Sequence, residues 1–160
     1  MKKWYIAYGS NMDEKQMAYR CPDSILAGST TVSGYELLFK GSKTGAYATI
    51  EQKEGSKVPV LLWEISERDE KSLDRYEGFP DFYYKKTVEV AHKGKRIKAM
   101  VYIMHEERKL GRPSPRYYSV IAEAYQKFGW DKKILERALE ISTENRGFQG
   151  AMIGGFMILK

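Results

Sequence analysis

Trp4-Tyr5-Ile6-Ala7-Tyr8-Gly9-Ser10-Asn11 is the stretch on which the reading of this chain turns. Its first half is an apolar run of strand type, and residues 3–8 are expected as a strand. Gly9-Ser10-Asn11 then breaks the run. A strand ending in Gly-Ser-Asn presents consecutive backbone N–H groups beside a flexible turn, and such a run forms a concavity for an anion or a carboxylate. Asp13-Glu14-Lys15-Gln16 open a helical pattern over residues 13–20, stopped before Pro22, so a helix N-terminus points at the same place. Gly, Ser and Asn are also ordinary turn formers, and the turn by itself defines no site.

Outward from that turn, the chain alternates strand and helix signals without a linker, a repeat or a low-complexity segment, and is read as one domain over residues 1–160. Strands are expected at Thr31 to Phe39, Ala46 to Glu51 and Val58 to Ile65, with Pro59 placing its end of the third at an edge or a start. Ser66 caps a helix through Tyr76, with acidic residues in its first turn and Gly78 as the stop. A β-hairpin is expected from Phe82 to Met104, turning at Lys93-Gly94-Lys95. Ser114-Pro115 starts a helix carrying Tyr117, Val120, Ile121, Ala124 and Phe128 at helical spacing, ended by Gly129. Asp131 opens another helix to about Glu144, and the glycine-rich apolar tail from Gly147 to Lys160 is read as a last strand or a cover for an open edge. Strands early, helices late and short hairpin connections give an α+β fold: a mostly antiparallel, barrel-like mixed sheet with a few packed helices.

Composition narrows the function classes. At 160 residues, 42% hydrophobic and 30% charged, the chain has the make-up of a soluble globular protein able to bury a sizeable core. The net charge of +6 hints at anionic partners, but Lys and Arg are interspersed with acidic residues, and the densest basic run, Lys93 to Lys98, falls on the hairpin turn. A solvated turn explains that run, and no nucleic-acid partner is expected. A single cysteine, Cys21, excludes an intramolecular disulfide and fits a reducing, cytoplasmic location. With no local base beside it, the thiol is read as inert. Met1-Lys2-Lys3 lacks the apolar core of a signal peptide, and no stretch reaches the length of a membrane span. His92 and His105 are isolated, without Cys or His at ligand spacing, so no metal is expected. The sequence specifies no oligomeric state.

Three features join the first turn: Leu73-Asp74-Arg75-Tyr76-Glu77-Gly78, a tyrosine before the Val88-x-Val90 strand, and Pro113-Ser114-Pro115-Arg116-Tyr117. In this order and spacing they resemble the γ-glutamylcyclotransferase family, also called AIG2-like. Its pattern is a Tyr-Gly-Ser-Asn turn on the first strand, then a Leu-Asp-x-x-Glu-Gly motif, a Tyr near a Val-x-Val strand, and a Pro-Ser-x-x-Tyr helix start. Cys21-Pro22 and Ala48-Thr49-Ile50 are similar to bacterial members. The resemblance covers residues 4 to about 130.

The resemblance implies that Glu77 is the catalytic carboxylate, that Tyr8, Gly9, Ser10 and Asn11 bind substrate, and that Tyr117 and either Tyr83 or Tyr84 line the glutamyl pocket. Counting forward from Glu77 and back from Val88 gives answers one residue apart, so both tyrosines stay in play. The implied reaction cleaves a small-molecule γ-glutamyl amide by intramolecular aminolysis to 5-oxoproline and a free amine, without a cofactor. The residues agree chemically. A glutamate at a helix C-terminus faces aligned carbonyls that disfavour its charge, and Tyr76 and Phe79 are placed to desolvate it; both raise a carboxylate pKa. A catalytically silent small-molecule-binding protein of the same fold is the alternative. Leaving-group specificity is expected near Phe39 to Ala46, a short glycine-rich stretch at the pocket rim.

Overall fold

The computed structural model describes residues 2–147. Its sheet has five strands in the order β2-β3-β1-β5-β4: β1 (Lys3–Ala7), β2 (Ile25–Lys40), β3 (Tyr47–Ile65), β4 (Tyr83–His92) and β5 (Lys95–Met104). β1 runs parallel to β5, and the other neighbouring pairs are antiparallel. The apolar character of β1 follows from its central place, where both faces and both edges are covered; Tyr5, Ile6 and Ala7 are all buried. The outer strands β2 and β4 approach one another, with the Thr30 hydroxyl donating to the Ala91 carbonyl at 2.6 Å and the Lys86 ammonium over the Tyr35 ring. That approach curls the sheet toward a barrel, and the fold is α+β.

Two expected strands, Ala46 to Glu51 and Val58 to Ile65, are one continuous strand. β3 pairs with β2 on both sides of an irregularity at Lys53 to Ser56, which have no partner in β2, and β2 is longer than the expected Thr31 to Phe39 at its N-terminal end. The polar stretch between the apolar runs, Gln52 to Lys57, reads as a loop by composition but lies where the long β2-β3 ribbon projects past β1. Pro59 is therefore inside a strand and starts none. It is tolerated because β1 pairs with β3 only from Leu61 to Ile65, which leaves the Pro59 backbone with β2 as its one neighbour. The hairpin β4-β5 turns through Lys93 and Gly94, both at positive φ (51° and 77°), the geometry of a two-residue turn.

Helix α1 (Glu14–Arg20) is capped by Asp13, whose side chain accepts from Lys15 N–H. Helix α2 (Glu67–Glu77) begins with a reciprocal capping box: Ser66 Oγ accepts from Asp69 N–H and the Asp69 carboxylate accepts from Ser66 N–H. It ends on Gly78 at φ 66°, a left-handed stop that a side chain would strain. Ser114 and Pro115 start α3 (Pro115–Phe128), and α4 (Lys132–Gly147) packs on β2, where Ser142 Oγ accepts from Phe39 N–H at 2.9 Å. The expected tail beyond Gly147 lies outside the described residues. Cys21 is buried, and burial pushes its thiol up to about 12, which leaves it unreactive. Among the described residues, no helix is long and apolar enough to cross a membrane, and no group of three His, Cys, Asp or Glu side chains is arranged to hold a metal ion.

Candidate active site

Because β1 and β5 are parallel, their C-terminal ends emerge side by side, and the Tyr8 hydroxyl donates to the Tyr102 carbonyl at 2.6 Å across that edge. A cavity of about 190 Å³ opens there. The turn Tyr8–Asn11 forms one wall, the start of β3 (Tyr47, Ala48) another, and the end of α2 (Tyr76, Glu77) faces them. Phe82 and Tyr83 at the entry to β4, Tyr117 in the first turn of α3, and Ile6 and Tyr102 from β1 and β5 complete the lining.

The turn itself is a single 3₁₀ turn, Ser10–Met12, with Gly9 as the residue before it. Met12 N–H donates to the Gly9 carbonyl and Asp13 N–H to the Ser10 carbonyl, which holds the loop tight. The N–H groups of Gly9, Ser10 and Asn11 donate to no backbone carbonyl or side chain among the described residues, as expected for the open first turn of a helix. Gly9 brings the backbone close to Tyr117: a Cβ there would lie 3.1 Å from the Tyr117 hydroxyl, which would have to shift by a few tenths of an ångström, and at an ordinary contact distance of 3.5 Å from Ala48 Cβ.

Glu77 enters the cavity because of how α2 is docked. Leu73, one helical turn earlier on the same face, is fully buried in the core. Asp74 accepts from the Tyr102 hydroxyl at 2.5 Å and pairs with Lys85 at 2.9 Å, which clamps the last turn of α2 to β4 and β5. Burial raises the Glu77 carboxyl from its ordinary 4.5 to about 7, and the positive charge of Arg20 opposes that rise. The desolvating groups differ in part from expectation. Tyr76 lines the cavity, but Phe79 does not; it packs edge-on to Tyr102 with Lys85 above its ring.

The tyrosines sort by strand alternation. Tyr83 faces the cavity and donates to the Ala48 carbonyl at 2.8 Å. Tyr84, the other candidate, is excluded from it: successive side chains of β4 leave on opposite faces, and Tyr84 bonds Glu106 on the far side of the sheet. Tyr117 accepts from Ala48 N–H at 3.1 Å, which leaves its own proton for a group in the cavity. Burial keeps the hydroxyls of Tyr8, Tyr83 and Tyr117 well above their ordinary pKa, so all three are neutral donors and acceptors.

Reading the sequence did not single out Arg20. Its guanidinium lies 3.6 Å from the centre of the Tyr76 ring and donates to Asn11 Oδ1, while Asn11 Nδ2 donates to the Tyr5 hydroxyl at 2.9 Å. An arginine in the last turn of a helix reads as a solvated charge complementing the helix dipole, and nothing local in the sequence brings Tyr76 under it.

A family model described as "Gamma-glutamyl cyclotransferase, AIG2-like" matches residues 5–121. A gamma-glutamylcyclotransferase from Homo sapiens is 31% identical over 150 residues, spanning 88% of this chain and 79% of the human protein. One from Bos taurus is 31% identical over 127 residues, and there the match spans 73% of this chain and 66% of the bovine protein. A solved structure of a gamma-glutamyl cyclotransferase superposes with a TM-score of 0.77 at 26% identity, covering 86% of each chain. The chain belongs to the gamma-glutamyl cyclotransferase, AIG2-like family.

Proposed function

We propose that this protein cleaves a γ-glutamyl amide by intramolecular aminolysis, releasing 5-oxoproline and a free amine, with Glu77 as general acid and base. The observation that carries this reading is the position of Glu77: a carboxyl raised to about 7 by burial, lining the same small cavity as the open N–H groups of the Gly9–Asn11 turn. A group with that pKa both accepts and returns a proton near neutrality.

In the proposed sequence, the glutamyl chain folds in the cavity so that its α-nitrogen lies against its own γ-carbonyl. The ionised Glu77 takes a proton from the α-ammonium. The freed amine attacks the carbonyl carbon, forming the ring C–N bond and placing negative charge on the carbonyl oxygen. N–H groups of the Gly9–Asn11 turn and the free hydroxyl proton of Tyr117 are positioned to stabilise that charge. The intermediate collapses by breaking the original C–N bond as the protonated Glu77 delivers its proton to the departing amine. The ring nitrogen then gives its second proton to the re-ionised Glu77, which passes it to the released amine, leaving a neutral lactam N–H and an ammonium product. Tethering of nucleophile and carbonyl in one molecule supplies much of the rate advantage, which suits a cavity whose main tasks are folding one chain and relaying protons between its two nitrogens. We place the reaction in the cytoplasm, on a small-molecule substrate and without a cofactor, following the single free cysteine and the chemistry of the cavity.

The test is a panel of γ-glutamyl compounds (an amino acid, a polyamine and a lysine side chain as leaving groups), with 5-oxoproline read by mass. Release by the wild-type chain and its loss, by roughly 10²–10⁴-fold, in Glu77→Gln are expected. Binding of γ-glutamyl compounds without any 5-oxoproline would instead support a silent binding protein, and undiminished release by E77Q would remove Glu77 from the mechanism.

A further inference from the structure

The turn and the base reach the cavity from different elements, and no hydrogen bond between their backbones ties them together. The Gly9–Met12 loop hangs from the end of β1, whereas Glu77 ends α2. Arg20 touches both. Its guanidinium lies over the ring of Tyr76, the residue before Glu77, and donates to the side chain of Asn11 in the turn. The Ser10 hydroxyl and the Tyr76 hydroxyl meet at 3.2 Å beside this contact. Asn11 Nδ2 in turn donates to the Tyr5 hydroxyl in the core strand β1.

We infer that Arg20 is a positioning residue of the site: it fastens the Tyr76–Glu77 end of α2 to the Ser10–Asn11 turn, fixing the distance between the base and the N–H donors. The inference rests on the proposed reaction for its kinetic consequence and on the geometry alone for the rest. A planar guanidinium is suited to this, because it stacks on an aromatic face while its edge donates in the ring plane, and an ammonium does only part of it. Arg20 does not line the cavity, so it acts through Tyr76 and Asn11 and leaves the substrate to them.

Arg20 also sets the charge balance at Glu77. The titratable groups coupled electrostatically to that carboxyl are the hydroxyls of Tyr5, Tyr8, Tyr83, Tyr102 and Tyr117, all held protonated by burial, and Arg20 from α1. Arg20 is the cation in this set. Its removal takes away the one opposing influence on the carboxyl while burial stays.

The test uses the full chain with Arg20→Met and Arg20→Lys. Three readouts are taken: a thermal melt, kcat and KM on the γ-glutamyl compound that the panel identifies, and a carbon-13 titration of the Glu77 carboxyl, located by the signal missing in E77Q. In R20M the carboxyl should titrate above the wild-type midpoint, and kcat should fall on the order of 10- to 100-fold with KM changed far less, because the loss is one of alignment. R20K should return the titration midpoint toward wild type and leave kcat low, which separates charge from stacking. Wild-type kcat in folded R20M, or full recovery of kcat in R20K, would overturn the inference. If R20M does not fold, Arg20→Gln and R20K carry the same comparison. A wild-type chain inactive on every γ-glutamyl compound, with a midpoint that still moves in the variants, would overturn the proposed reaction and leave the Arg20–Glu77 coupling standing; an active chain with an unmoved midpoint would overturn the coupling alone.

Discussion

Glu77→Gln should make the protein more stable at alkaline pH, by an amount that the Glu77 carboxyl sets. Its pKa is about 7 in the folded chain against an ordinary 4.5, so the folded state binds the proton more tightly. With the folded pKa raised, the stability associated with the protonated form is fully present below about 4.5 and is lost as pH rises through about 7. The difference corresponds to ~3 kcal/mol at ~1.4 kcal/mol per pH unit. Glu77 keeps some contact with solvent through the cavity mouth, and screening there lowers the figure to ~1–3 kcal/mol. A glutamine of the same shape carries no charge at any pH and escapes that cost. Urea unfolding of the two proteins at pH 8.5 and at pH 4.5 is the assay. The variant's midpoint should exceed wild type by roughly 0.5–1 M at pH 8.5, and the two curves should nearly coincide at pH 4.5. Equal offsets at both values, or a variant weaker than wild type at pH 8.5, would refute the claim that burial of an ionised Glu77 costs stability. The stabilised variant should also be the inactive one, the pattern expected where a destabilised group is kept for chemistry.

The acidic limb of kcat/KM should lie near pH 7, with rate rising as Glu77 loses its proton, because in the proposed reaction the ionised form takes the proton from the α-ammonium; a limb at 4–5 would mark an ordinary exposed carboxylate. Tyr117→Phe should cost ~1–3 kcal/mol, since the buried Ala48 N–H loses its acceptor, and a melt should show a drop of several degrees together with slower turnover. Gly111→Ala should fail to give a stable protein, because its Cβ would stand 1.7 Å from the Ser42 carbonyl oxygen, backbone against backbone; a cooperative melt within a few degrees of wild type would show that this loop shifts freely.

How far the sequence carried this reading depended on whether each signal was local. The Ser66 capping box, the Gly78 and Gly129 stops and the Ser114-Pro115 start each act within a few residues, and the helices stand where those residues put them. The β2-β3 ribbon was misjudged because both apolar runs of β3 pair with the one strand β2, on either side of residues 53–56, which have no partner there, and the farther pairings, such as Ile25 with Glu64, join residues that no window of sequence contains. The same distinction runs through the site. Tyr8–Asn11, Glu77 and Tyr117 were legible as a family pattern, and the fold brings them to one cavity. The choice between Tyr83 and Tyr84 needed the phase of β4, which a one-residue slip reverses for every side chain on the strand. Arg20 was out of reach altogether. Its neighbour in space, Tyr76, lies 56 positions along the chain, and the two meet only because the end of α1 packs against the end of α2. What the motif names here, then, are groups that line the cavity; the groups that pack behind them are set by tertiary contacts, and must be read from the structure.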